Sequence, residues 1–216
     1  MIVQVSGSER KNRPELFEEM FRLRYRVFVE TRRWSLATRG GLEIDEYDLP
    51  EAQYFFERGR DGSLVSYVRA LPARRSLMAD YFPHLVDAAV DPRDPLGIET
   101  TRLYVDRAAL NSADHRRAKA ELLLAVFEWA TTQGATHLQT VIESALYGSI
   151  VEMLPQTVAL GLSRPYGGGP GTIGGGDTIA LRCPVNHQSL CDLRMFGQLP
   201  HKPCAACLER SSTLAA

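Results

Sequence analysis

A chain of 216 residues, 44% hydrophobic and 24% charged, has enough apolar material for one buried core and none of the bias of a disordered or fibrous protein. Its formal charge of −1 is not that of a general nucleic-acid binder, which meets many phosphates with clustered basic residues. There is no run that reads as a membrane span, and the opening MIVQVSGSERKNRP has no secretory-signal pattern, so a cytoplasmic protein is expected.

The opening IVQV reads as a short strand. Asn12 with Glu15 three residues on resembles a capping box, Pro14 suits a first turn, and Phe17, Met20, Phe21, Val27 and Phe28 recur at helical spacing. A helix is therefore predicted from about Arg13 to about Val29, with Arg24 inside its apolar stripe. Residues 31 to 50 read as a long loop. Two strands, Ala52 to Glu57 and Ser63 to Leu71, flank the hairpin signal Asp61-Gly62. Pro83, Pro92 and Pro95 break the next segment before a strand from Ile98 to Val105. A helix opened by Asp114 carries the stripe Leu122, Leu123, Val126, Trp129 and Ala130 and closes at Gly134. Thr136 to Ile142 is a strand, Leu146 to Leu154 a short helix, and Thr157 to Leu162 and Thr178 to Pro184 two further strands. This interleaving predicts an α/β fold, a sandwich around a mixed sheet. Residues 1 to 185 form its one domain, with 186 to 216 an appended tail of little periodicity.

Several charged residues stand where charge is costly. Arg24 on a buried helix face needs an anion, either a protein carboxylate from the 43 to 48 segment or a ligand's. Glu43-Ile44-Asp45-Glu46-Tyr47-Asp48 places four carboxylates in six residues, which calls for a metal, an arginine or an amine-bearing substrate nearby. It lacks both a neighbouring histidine and the calcium-loop spacing, so no metal is assigned. Arg69 shares a strand face with Tyr67 and Leu71. Glu99 and Arg102 point to opposite faces of a regular strand, and a bulge would unite them. The run Gly167 to Gly176 lacks the Gly-Lys-Ser/Thr ending of a phosphate loop and reads as a connection. The four cysteines all follow position 180; one CxxC, Cys204 to Cys207 with His201 before it, favours free thiols over a zinc site. The basic clusters Arg32-Arg33, Arg74-Arg75 and Arg116-Arg117 with Lys119 are solvated faces or docking points for an acidic partner.

Taken in order, Arg24-x-x-x-Phe28, Trp34, Glu43-x-Asp45-x-x-Asp48, Arg69, Met78-x-Asp80-x-Phe82-Pro83 and Glu99-x-x-Arg102 closely resemble the LuxI-type autoinducer synthases, the acyl-homoserine-lactone synthases of bacterial quorum sensing. The resemblance spans roughly residues 1 to 185. It implies a three-layer sandwich like the GNAT N-acyltransferases, with a V-shaped cleft in the sheet and an acyl pocket between sheet and helices. It implies an acyltransferase that uses S-adenosylmethionine as substrate, with no cofactor, and an acyl-carrier protein or acyl-CoA as donor. Arg24, Phe28, Trp34, Asp45, Asp48, Arg69 and Phe82 fall at substrate-binding positions, and Glu99, Glu43 and Arg102 at catalytic ones. Glu99 is the first choice for taking the amine's proton and Glu43 the second, because an α-amine with a pKa near 8 is mostly protonated at neutral pH. The pyrophosphate turn of GNAT enzymes is absent at Asn111-Ser112-Ala113-Asp114-His115-Arg116, which leans the donor towards a carrier protein docking at Arg116, Arg117 and Lys119. An ordinary coenzyme A-dependent N-acyltransferase and a non-catalytic paralogue are the rival readings.

Overall fold

The computed structural model describes residues 1–165 and 176–200. Eight strands form one sheet: β1 (Val3–Ser6), β4 (Gln53–Arg58), β5 (Leu64–Pro72), β6 (Gly97–Val105), β7 (His137–Glu143), β10 (Asp177–Pro184) and β8 (Val158–Ala159) in that spatial order, with β9 (Arg164–Pro165) also on β10. Every pairing is antiparallel except β6 with β7. That parallel pair is joined by helix α3 (Ser112–Thr132), the crossover such a pair requires.

The two faces are covered separately, giving the mixed α/β sandwich expected. On one side α1 (Pro14–Arg24) buries Phe17, Met20, Phe21 and Leu23 against Tyr54, Phe56, Tyr67 and Leu71. On the other, α3 buries Leu122, Leu123, Val126 and Phe127 against Phe55, Val68, Ile98 and Leu138. Asn111 caps α3 by accepting from the Asp114 N–H, one turn earlier than the predicted opening, and the left-handed Gly134 (φ 69°) ends it.

The predicted first helix spans the right length but changes pitch. After Arg24 it continues as a π-helix, Tyr25–Thr31, a rare form frequent at functional sites. The capping box belongs to Ser6 and Glu9, at a short 3₁₀ turn, rather than to Asn12 and Glu15. Within the predicted 31 to 50 loop lies a small hairpin of β2 (Thr38–Arg39) and β3 (Leu42–Glu43). The proline-broken segment holds a short helix, α2 (Leu77–Tyr81), and the short helix predicted over 146 to 154 is α4 (Tyr147–Met153).

Residues 187 to 197 correct the picture of an appended tail. They form α5 (His187–Gly197), capped by Asn186 and packed on α3 with Leu193 fully buried. A Cβ at Gly197 would come within 2.5 Å of the Ala120 Cβ, so glycine permits the close crossing of the two helices, and Arg194 meets Glu128 at 2.6 Å. The folded domain thus extends past the expected boundary at 185. The glycine-rich run up to Gly175, and His201, Cys204 and Cys207, lie outside the described residues.

Candidate active site

The ladder between β6 and β7 is short. Gly97, Ile98 and Glu99 pair with His137, Leu138 and Gln139, and beyond them no pairing continues, so the strands part and the sheet opens as a V. Main-chain groups on the facing edges of residues 100–105 and 140–143 are left for other partners. A cavity of about 890 Å³ runs through the opening. Phe28, Trp34, Asp45 and Phe82 line it on the α1 face; Leu123, Phe127, Leu138 and Cys183 line it on the α3 face.

A bulge on β6 builds the charged wall. Tyr67 pairs with Tyr104 but Arg69 with Thr101, so β6 carries an extra residue there, and Arg102 takes φ 59°, a conformation disfavoured for a side chain with a Cβ. The bulge turns Arg102 to the face that already holds Glu99, Thr101 and Arg69. There Arg24, Arg69 and Arg102 meet Glu43, Asp45 and Asp48, three guanidinium groups against three carboxylates. Arg24 binds Glu43 at 2.5 Å and Asp48 at 2.6 Å; Arg69 donates to Asp45 and, at 2.9 Å, to Asp48; Arg102 reaches Glu43 at 3.0 Å and Asp45 at 3.1 Å. Asp48 is tied further by the Tyr54 hydroxyl and the Asp45 N–H.

Of the two carboxylate sources the sequence left open for Arg24, the structure supplies the protein's own. Its Nη2 alone has no hydrogen-bond partner and lies 3.6 Å from Asp45. Burial alone would raise the carboxyl pKa values here. For Glu43 the hydrogen bonds and charges of Arg24 and Arg102 outweigh it, and for Asp48 the charges of Arg24 and Arg69 do, so both stay below the ordinary carboxylate range.

Glu99 has a different environment on the same face. It is 1% exposed and accepts from Ser76 Oγ at 2.6 Å, the Met78 N–H at 2.9 Å and Gln139 Nε2 at 3.3 Å, with no arginine in contact. Burial raises its pKa, and these three hydrogen bonds together with the charge of Arg69 offset the rise only in part. Gln139 also reaches the Pro92 carbonyl at 2.6 Å and lines the cavity, linking Glu99 to it. Neither Gln139 nor Ser76 stands out in the sequence; Gln139 comes to Glu99 from a strand forty residues away.

The predicted site residues therefore separate by position. Glu43, Asp45, Arg102, Phe28, Trp34 and Phe82 line the cavity, whereas Arg24, Asp48, Arg69 and Glu99 sit behind that wall. Phe28 and Trp34 stack with ring centroids 5.1 Å apart, and the Trp34 N–H bonds the Phe28 carbonyl, so the π-helix fixes the aromatic pair. The supposed basic docking face does not form one patch. Arg117 pairs with Glu121 at 2.8 Å, Arg116 lies over the Phe196 ring, and Lys119 lines the cavity near Ser149. Among the described residues no cluster of three or more His, Cys, Asp or Glu is placed to hold a metal, and no helix is long and apolar enough to cross a membrane.

Residues 8–151 match the autoinducer synthase family. An isovaleryl-homoserine lactone synthase of Bradyrhizobium diazoefficiens is 33% identical over 67% of this chain, and the match spans 64% of that relative's length. An acyl-homoserine-lactone synthase of Vibrio anguillarum is 36% identical over 42% of this chain, a stretch spanning 48% of that protein. The solved structure of BjaI, a CoA-dependent acyl-homoserine lactone synthase with SAM and isopentyl-CoA, superposes with a TM-score of 0.76 over 99% of each chain at 26% identity. An acyl-CoA N-acyltransferase from Pseudomonas aeruginosa, at 17% identity and TM-score 0.55 over 85% of this chain and 99% of its own, shares the fold.

Proposed function

The chain belongs to the autoinducer synthase family, and from that premise we propose that it joins an acyl thioester to S-adenosylmethionine, forming an N-acyl-L-homoserine lactone for quorum sensing and releasing methylthioadenosine. The observation that carries this reading is a single cavity crossing the split sheet, charged and aromatic on the α1 face and apolar on the α3 face. S-adenosylmethionine, with an ammonium, a carboxylate and an adenosine, matches the first wall, and an acyl chain the second.

On the charged wall Asp45 and Glu43 face the ammonium and Arg102 the carboxylate, while Phe28, Trp34 and Phe82 bound the space. Arg24, Arg69 and Asp48 hold these groups in place from behind. Glu43 has both oxygens tied by arginines and a lowered pKa, which makes it a poor proton acceptor. Glu99, with a raised pKa and no guanidinium hydrogen-bonded to it, is the better one. Being behind the wall, it acts through a water. The deprotonated amine attacks the thioester carbonyl, main-chain N–H groups at the parted strands hold the oxyanion, and the thiol leaves. The carboxylate oxygen then attacks the γ-carbon of the methionine part, the carbon–sulfonium bond breaks, and the lactone closes.

The donor is a coenzyme A thioester. Arg107, His115 and Lys119 line the cavity at the open end of the V, and among the described residues none is within salt-bridge distance of a carboxylate. Burial, and then the charge of Arg107, lower the pKa of both Lys119 and His115, as expected for a basic cluster without a paired carboxylate. Phosphates of the donor fit that place, and BjaI is described as CoA-dependent. Purified protein given S-adenosylmethionine and hexanoyl-CoA should yield the hexanoyl lactone and methylthioadenosine by mass spectrometry. Turnover only with the carrier-bound acyl group would reject the donor; no lactone from either donor would reject the reaction.

A further inference from the structure

One cross-strand row carries polar side chains through the middle of the sheet. Glu99 on β6 is level with Gln139 on β7, and Gln139 with Arg182 on β10, so a carboxylate, an amide and a guanidinium follow one another across adjacent strands. The rung from Glu99 to Gln139 is also the last one paired before β6 and β7 part. Gln139 is 1% exposed, and both ends of its amide are bonded. Its Nε2 donates to the Pro92 carbonyl at 2.6 Å, to Glu99 at 3.3 Å and to Ser76 Oγ at 3.4 Å, and its Oε1 accepts from Arg182 Nη2 at 3.2 Å. This pattern admits one amide orientation, because the flipped one would set Oε1 against a carbonyl and a carboxylate and aim the NH2 at a guanidinium.

Arg182 has few other engagements. Among the described residues it forms no salt bridge, and it does not line the cavity. Its Nη2 also meets the Asp91 carbonyl at 3.0 Å, while its Nε is buried without a hydrogen-bond partner. Gln139 is therefore the side chain this guanidinium addresses. A charged donor on the amide oxygen makes the N–H at the other end a stronger donor, because hydrogen bonds in a chain polarise one another.

We propose that Arg182 and Gln139 are positioning residues for the proton acceptor: Arg182 locks the Gln139 amide with its N–H towards Glu99, and that N–H steadies the ionised carboxylate at the edge of the cavity. The inference rests on the reading above in which Glu99 takes the amine's proton. The other charges around Glu99 are engaged elsewhere or act at a distance. Arg69 on β5 acts on it without a hydrogen bond, and Arg102 on the same face is held by Glu43 and Asp45. Asp80 on α2 is held by Tyr47 and Arg93, and His137, two residues before Gln139, feels the charge of Arg182.

The test reads the acidic limb of the pH profile of kcat/KM for hexanoyl-CoA at saturating S-adenosylmethionine. Its midpoint does not depend on how much of a sample is folded. Gln139→Leu removes a donor from the ionised carboxylate and should move the limb up by about one pH unit, a ten-fold change in proton affinity. Gln139→Met, closer in shape, gives the same comparison if the leucine variant does not fold. Arg182→Met should move the limb the same way by a smaller step, and Arg182→Lys should keep it near the wild-type position. Arg182→Met added to Gln139→Leu should move it no further, since residues that act through one another are not additive. An unmoved limb in Arg182→Met or in both Gln139 variants overturns the proposal. So does an undiminished Arg182 effect in the Gln139→Leu background, which would mark direct action of its charge on Glu99 or His137. An unchanged acidic limb in Glu99→Gln instead shows that another group takes the proton, and the reading on which the proposal rests then fails with it.

Discussion

The two faces of the parted sheet are built on opposite principles. On the α1 face three arginines and three carboxylates lock one another, so each side chain has several partners and its position is over-determined. On the α3 face Leu123, Phe127, Leu138 and Leu154 offer only shape, which tolerates exchange among residues of similar volume. The acceptor side is thus rigid in chemistry and the donor side adjustable in outline. The proposed reaction, with a charged acceptor and an acyl donor, calls for that division.

The largest effect should follow from breaking the charged face. Arg24→Ala leaves Glu43 and Asp48 buried beside one guanidinium fewer, and loss of one partner of a buried pair costs about 3–5 kcal/mol. Urea unfolding should show that loss together with abolished lactone synthesis. A variant of near-normal stability would mean that the network is looser than its distances imply. An inert but fully stable protein is not expected for a residue 0% exposed.

Glu99→Gln should leave the fold in place, since the amide oxygen still accepts from the Met78 N–H and the amide NH2 can donate to the Ser76 hydroxyl oxygen, and should cut turnover by roughly 10²–10⁴-fold if the carboxylate takes the proton. Acidification separates the two environments. Glu99 must be ionised to act and its pKa is raised, so activity should fall as pH drops through a value above 4.5, the ordinary glutamate value. Asp48 and Glu43 have lowered pKa values, so the stability they contribute is present above their unfolded values near 4 and is lost only as pH falls through the lower folded ones. Activity should therefore disappear before circular dichroism reports unfolding, and coincident transitions would count against this assignment.

On the apolar face, Leu193→Ala should cost about 2–5 kcal/mol, because this α5 side chain is fully buried. Truncation after Asn186 should do at least as much harm; a shortened chain with the wild-type urea midpoint would show that α5 is merely laid on the domain. The smallest expected change is in Lys119→Met, which should raise the KM for hexanoyl-CoA by about ten-fold, the lower range for one charge-assisted hydrogen bond, with the KM for S-adenosylmethionine unmoved. A shift in both constants would place Lys119 in the frame of the pocket instead.

Much of this was readable along the chain. The stripes at Phe17 to Phe21 and Leu122 to Val126 specify helices, and the Asp61-Gly62 hairpin places β4 beside β5, because those signals act over a few residues. The α5 helix was legible too, although the segment reads as a tail of little periodicity: Asn186, then Leu190, Leu193 and Phe196 fall at helical spacing. The π-helix after Arg24 could not be read, since its residues suit an α-helix equally well and packing chose the pitch.

By itself the sequence determined which charges the protein carries, the helices and strands that bear them, and, through the order of its motifs, its family. Only the tertiary structure decided how those charges are spent. Arg24 and Glu43 are 19 residues apart and Glu43 and Arg102 59, and no local rule selects among carboxylates competing for three arginines. The bulge at Arg102 turns its side chain to their face, and the early end of the β6–β7 ladder opens the space before them. Both are properties of strand register, which exists only once distant strands have paired.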